Sequence, residues 1–234
     1  MLHRLMEGLS HAVPSQCALC AAWPAAPVCR ACVARFAIPS PRCRRCALPL
    51  PADAGDCCGR CLRRAPALDA CHAAVDYGYP WAGCITDFKF GGQPGWAASL
   101  AALVRAGPAA ARQIDDADLV LPLPLAPGRL RERGFNQSLE LARRLAPGRV
   151  ESRLLLRVRE TPAQSRLDRA ARLANLRGAF AVDPLRRGQV QGRRIALVDD
   201  VMTSGASLEE AARVLREAGA SHIAGIVVAR TPEA

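Results

Sequence analysis

The run Ile195-Ala-Leu-Val-Asp199-Asp200-Val201-Met202-Thr203-Ser204-Gly205-Ala206-Ser207, continued by Leu208-Glu-Glu-Ala-Ala-Arg-Val-Leu-Arg216, decides the fold. Ile195 to Val198 is a continuous apolar stretch of strand length, the pattern of a parallel strand covered on both faces. Leu208, Ala211, Ala212, Leu215 and Ala218 recur at helical spacing, and Gly219 supplies the stop. His222 to Ala229 reads as the next buried strand, so the whole is a βαβ unit of an α/β domain. Ligands of such sheets bind beyond the carboxyl ends of the strands, where Asp199 and Asp200 fall. Thr203 to Ser207 adds hydroxyls, small side chains and free backbone N–H groups at a helix N-terminus, a cradle for an anion. Carboxylates beside such a cradle would repel a bare phosphate. They suit a ligand that also presents hydroxyls, as a ribose 5-phosphate does. Neither GxGxxG nor GxxxxGK[ST] occurs, which argues against a dinucleotide or P-loop site.

Upstream, Ala73 to Tyr79 reads as a strand, Trp81 to Lys89 as a short helix and Trp96 to Arg105 as a helix. Asp118 to Leu121 is a further strand, Pro122 to Gly128 a turn, Gln137 to Leu145 a helix and Arg153 to Val158 another strand. Before residue 68 the composition is different, rich in Cys, Pro and Arg. The expected organisation is therefore a Cys-rich segment over residues 1–68 and an α/β domain over 69–234.

The chain has 11 Cys. Met1 to Ser10 lacks the apolar core of a secretory signal, which points to the cytoplasm, where thiols stay reduced. Four CxxC pairs follow one another: Cys17 with Cys20, Cys29 with Cys32, Cys43 with Cys46, and Cys58 with Cys61. Each CxxC aims two thiolates at one point, and two pairs complete the tetrahedron that Zn2+ accepts. Two structural zinc ions are expected, with no open coordination position for catalysis. Spacing allows a sequential grouping of adjacent pairs and a cross-braced one, and Cys57 is a rival to Cys58. Cys71 and Cys84 read as small buried hydrophobes.

Charge is uneven. The net value is +11, and Arg129 to Arg177 holds thirteen Arg against five acidic residues. Such a segment suits phosphate, of a small substrate or of nucleic acid. No stretch of about 18 apolar residues occurs, so no membrane span is expected.

The thirteen residues from Ile195 to Ser207 resemble the phosphoribosyl pyrophosphate (PRPP) signature of type I phosphoribosyltransferases. Leu121-Pro-Leu-Pro-Leu125, Arg131-Glu-Arg133-Gly134-Phe135-Asn136-Gln137 and Thr161-Pro-Ala-Gln164-Ser-Arg-Leu167, with Arg172, Asn175 and Phe180, narrow the resemblance to the ComF family of competence-associated proteins. Ser204 and Ser207 stand where Thr is common, and both keep the hydroxyl. The resemblance implies a Rossmann-like parallel sheet preceded by a small N-terminal four-cysteine zinc-ribbon domain. It implies Asp199 and Asp200 as the catalytic pair on the ribose hydroxyls, and a PRPP-binding run through Val201, Met202, Thr203, Ser204, Gly205, Ala206 and Ser207. Arg131 and Arg133 would neutralise pyrophosphate, Gln164 would lie in a mobile flap, and Mg2+ would arrive with PRPP.

Two functions follow from that resemblance. One is a PRPP-binding module of DNA uptake and natural transformation, with single-stranded DNA, a competence helicase and other uptake proteins as partners. The other is an active phosphoribosyltransferase of nucleotide or related metabolism with an unidentified acceptor, unconnected with competence. Catalysis needs a hood over the acceptor, for which Tyr79, Trp81, Phe88, Lys89 and Phe90 are the candidates.

Overall fold

The computed structural model describes residues 15–160 and 175–232. The chain forms two compact units, Met1–Ile38 and Pro39–Ala234, so the composition change near residue 68 falls inside the second unit. In the first unit Ser15 and Ala25 form an antiparallel bridge, and helix α1 (Arg30–Phe36) starts on Cys29, whose Sγ accepts the Cys32 N–H. The second unit opens on the same motif. Arg42 and Pro49 form the bridge, and helix α2 (Gly59–Arg63) starts on Cys58.

The rest of the second unit is built on a parallel sheet. Its strands are β1 (Ala70–Asp76), β2 (Leu119–Pro122), β5 (Arg194–Met202) and β6 (His222–Arg230), in the order β1-β6-β5-β2. β6 lies between two neighbours and is buried from Ile223 to Arg230, which is why its sequence is almost continuously apolar. A two-stranded antiparallel ribbon, β3 (Leu155–Arg157) and β4 (Phe180–Val182), lies apart from this sheet.

The first strand begins three residues earlier than the sequence pattern indicates. Pairing with β6 runs from Ala70 opposite Ala224 to Asp76 opposite Arg230, leaving Tyr77 to Tyr79 beyond the strand. Gly225 lies opposite Cys71 in that pairing, and a Cβ there would crowd the Cys71 Sγ at 3.2 Å as well as Leu68 and Leu208. β5 is likewise longer than its apolar run, because Asp199, Val201 and Met202 continue in register with β6.

Helices α3 (Trp81–Phe90), α4 (Trp96–Arg105), α5 (Pro108–Asp115), α6 (Pro127–Arg133) and α7 (Gln137–Leu145) follow β1 and β2. α7 packs on β5 and β2, and α4 on β6 and β1. α8 (Ala206–Glu217) packs on β4, β5 and β6 through Leu208, Ala211, Ala212 and Leu215, all buried. The segment read as a turn up to Gly128 instead starts a helix at Pro127, since proline suits the first helical position.

The cysteines Cys43, Cys46, Cys58 and Cys61 belong to the same buried cluster as Leu68, Cys71, Leu197, Met202, Leu208 and Leu215. The second four-cysteine motif is thus part of the core of the α/β unit. Among the described residues no helix is long and apolar enough to cross a membrane.

Leu215 is fully buried between α8 and the sheet. Leu215→Ala is expected to cost about 2–5 kcal/mol through lost burial and a residual cavity, read as a lowered thermal midpoint; an unchanged midpoint would mean that α8 does not anchor the core.

Candidate functional site

Over the carboxyl ends of β2 and β5 lies an open cavity of about 500 Å³. It is lined by Asp199, Asp200, Val201, Thr203 and Ser207 and also by Arg129, Glu132, Arg133 and Arg157. A smaller hollow of about 30 Å³ is enclosed by the turn that leads from β5 into α8. Gly205 makes that turn with a left-handed φ of 79°, a conformation that favours glycine. A Cβ there would also lie 2.4 Å from the Met202 Cε.

The two carboxylates differ in their partners. Asp200 is buried, and its Oδ1 accepts the Lys89 ammonium at 2.9 Å. Asp199 Oδ1 accepts the Ser138 hydroxyl and the Asp200 N–H, each at 2.9 Å. Burial raises the Asp199 carboxyl to about 7, and the neighbouring Asp200 charge adds to this, against the opposing pull of Lys89 and Ser138. A carboxyl poised near neutrality exchanges its proton where a bound hydroxyl needs an acceptor.

The stretch Arg133-Gly134-Phe135-Asn136-Gln137 brings Arg133 and Gln137 into the cavity lining. Gly134 ends α6 in the left-handed conformation, and Phe135 packs on buried Phe88 with ring centroids 5.7 Å apart. Asn136 caps α7 by accepting the Ser138 and Leu139 N–H groups, and its Nδ2 donates to the Leu123 carbonyl at 3.1 Å. Gln137, fully buried, receives Arg133 Nη1 at 3.2 Å and donates to the Lys89 carbonyl at 3.3 Å. The Arg133 guanidinium lies 4.7 Å from the centre of the Phe90 ring. Burial lowers the pKa values of Arg133 and Arg157, yet a guanidinium remains charged near neutrality.

Of the residues singled out from sequence, Asp199, Asp200, Val201, Thr203, Ser207 and Arg133 share the large cavity. Ser204, Gly205 and Ala206 line the hollow of the turn. The Met202 side chain is buried, with the Cys71 Sγ 3.5 Å from its sulfur, and it also borders that hollow. Arg131 lines neither space. Residues two apart on a helix point to nearly opposite sides, so Arg129 and Arg133 share a face of α6 that Arg131 does not. Recognising Pro127 as a helix start would have selected the first of these. Gln164 and Arg172 lie outside the described residues.

Ser138, Arg129 and Arg157 had no distinct sequence signal of their own. Lys89 did, as the only lysine in the chain. Of the aromatic residues proposed as a hood, Trp81 and Phe88 are buried, whereas Phe90 is exposed and lines the cavity.

The cysteines gather sequentially, Cys17, Cys20, Cys29 and Cys32 in one group and Cys43, Cys46, Cys58 and Cys61 in the other. A tetrahedron with Zn–S bonds of about 2.3 Å has edges near 3.8 Å. The Cys17–Cys32, Cys20–Cys29 and Cys46–Cys58 sulfur separations are 3.8, 3.7 and 3.7 Å, so both groups fit such an ion. Burial disfavours the Cys17 and Cys43 thiolates, but backbone N–H donors outweigh it and bring them to about 6 and 7. Cys58, not Cys57, completes the second group. Cys71 and Cys84 are buried outside both, and burial pushes the Cys71 thiol up to about 12.

The family model for the phosphoribosyl transferase domain matches residues 140–234. DNA utilization protein YhgH of Escherichia coli K12 is 31% identical over 87% of this chain and 90% of its own length. Competence protein F of Haemophilus influenzae is 32% identical over 71% of this chain and 75% of its own. The chain belongs to the ComF family. Competence protein ComFC of Streptococcus pneumoniae aligns over 43% of each chain at 36% identity. In this ComF chain the phosphoribosyltransferase-like sheet and the two four-cysteine groups of a double zinc ribbon occur together.

A raised carboxyl destabilises the folded chain once ionised: its stability contribution is complete below about pH 4 and is lost as pH rises through about 7. Asp199→Asn, which keeps an acceptor for Ser138, is therefore expected to raise the thermal midpoint by a few degrees at about pH 8 and less at about pH 5. Equal shifts at both pH values would refute the raised carboxyl.

Proposed function

We propose that the cavity over β2 and β5 binds PRPP with Mg2+, and that the chain serves DNA uptake in natural transformation through single-stranded DNA and competence-protein contacts, including a helicase. The observation that carries the PRPP reading is the direct passage of an acidic pair into a small-residue turn, with three guanidinium groups across one cavity. PRPP has the matching sequence of groups: a 5-phosphate, ribose hydroxyls and a pyrophosphate.

In this reading the N–H groups and hydroxyls of Thr203 to Ser207 take the 5-phosphate, aided by the positive end of α8. Asp199 and Asp200 accept the ribose hydroxyls, oriented by Ser138 and Lys89. Arg129, Arg133 and Arg157 face the pyrophosphate, for which guanidinium offers paired donors. Two carboxylates are too few for an all-protein Mg2+ cage. They suit a cation that keeps waters and the ligand's own oxygens, and that would offset the charge of the departing pyrophosphate.

The DNA-uptake part is supported by the net charge of +11 and by the competence and DNA-utilization names of the relatives. A cytoplasmic location belongs to the same reading and suits the free thiols that both cysteine groups would offer a metal. Phe90, exposed beside Leu123 and Pro124 in the cavity, favours a second reading, transfer of the ribosyl group to a planar acceptor held on that wall.

Calorimetry of the zinc-loaded chain with PRPP and Mg2+ tests the site, with single-stranded DNA titrated at two salt concentrations. The expected result is PRPP binding in the micromolar range, as for an ordinary ligand site, abolished in Asp199→Asn/Asp200→Asn while zinc content stays unchanged. Normal binding by that double variant would remove the acidic pair from the site. DNA affinity should fall steeply with salt, and pyrophosphate release on adding an acceptor would favour the transferase reading.

A further inference from the structure

Arg230, the last residue of β6, is 1% exposed. A guanidinium removed from water is costly unless its donors are satisfied. Here Nε donates to the Cys46 carbonyl at 3.1 Å, and Nη1 to the carbonyls of Met202 at 3.2 Å and Thr203 at 2.6 Å and to that of Thr231. Cys46 belongs to the second four-cysteine group, whereas Met202 and Thr203 lead directly into the anion turn. One buried side chain thus joins the metal-type knuckle to the backbone that shapes the turn.

Other contacts repeat the same connection. Cys71 N–H donates to the Arg44 carbonyl at 2.8 Å, and Cys71 Sγ meets the Met202 sulfur. Arg42, in the knuckle's bridge, pairs with Asp76 at the carboxyl end of β1 at 2.8 Å. Four thiolates around a dication would leave net negative charge, and Arg230 would be a buried cation near it.

We propose that Arg230 is a positioning residue that holds the Met202–Thr203 backbone against the second cysteine group, so that metal occupancy of that group sets the geometry of the anion turn. The inference rests on the PRPP reading only in what it says about affinity; the mechanical coupling stands apart from it. The first cysteine group belongs to the other compact unit.

The test uses the full zinc-loaded chain with Arg230→Met, which keeps apolar bulk and removes the donors, and Arg230→Lys, which restores charge. Zinc content, PRPP affinity and hydrogen exchange of the Thr203 to Ser207 amides in ligand-free protein are measured together. In Arg230→Met, zinc is expected to stay in both groups, while turn exchange rises and PRPP affinity falls on the order of tenfold or more, the scale of lost bonds to a charged donor. Arg230→Lys should recover part of both. Unchanged turn exchange in a folded, zinc-loaded Arg230→Met would overturn the proposal.

If that variant does not fold, Cys17→Ser/Cys20→Ser leaves the second group as the one zinc site, and the remaining zinc is removed by stepwise chelation. Faster exchange confined to the turn and knuckle supports the brace. Unchanged turn exchange, or an equal rise in the β6 amides, refutes it. A turn that responds in a protein that never binds PRPP would sink the PRPP reading and leave the brace standing.

Discussion

β5 and β6 run parallel from the Arg194–His222 pair to the Met202–Arg230 pair, and most of the molecule's chemistry is a consequence of that register. A parallel ladder requires the chain to return across one face, and α8 makes that return with a stripe of Leu and Ala. Because the pairing continues past the apolar run, Asp199 and Asp200 are held on a rigid strand rather than on a loop. The following residues must then turn sharply, which Gly205 allows and which leaves N–H groups at the start of α8 without helical partners. An acidic pair and a small-residue turn with free backbone N–H groups are thereby set side by side.

Their proximity creates an electrostatic difficulty that the surroundings relieve. Burial disfavours the Asp199 charge, and repulsion by the adjacent Asp200 adds to this, so the carboxyl is raised to about 7. Lys89 offsets the Asp200 charge directly, while Ser138 and a backbone N–H serve Asp199. Lys89 is itself held through its carbonyl by Gln137, which Arg133 contacts in turn. Arg133 is thereby linked to the acidic pair through Gln137 and Lys89.

The two cysteine groups share a local design but differ in setting. Each uses a bridge, a knuckle and a short helix begun by a cysteine. The second is embedded in the hydrophobic core of the sheet, whereas the first belongs to a separate small unit. A segment as small as the first has little apolar area to bury, so metal ligation is the natural source of its stability.

Local periodicity was enough to read the βαβ unit, the acidic pair and turn, and the cysteine pairs, because spacings of two, three and four residues determine which groups share a strand face, a helix face or a knuckle. That is also why the α8 stripe was legible while the start of β1 was not: its first residues, Ala70 to His72, become a strand only by pairing with β6 around Gly225. The choice of Arg129 and Arg133 over Arg131 needed the helix phase of α6, which begins at Pro127. The Lys89–Asp200 and Ser138–Asp199 contacts, the burial of Arg230, and the place of the second cysteine group in the core join residues distant in sequence. No local pattern encodes such contacts. They arise when the sheet order brings the ends of β1, β2, β5 and β6 to one edge, where packing and desolvation select the partners.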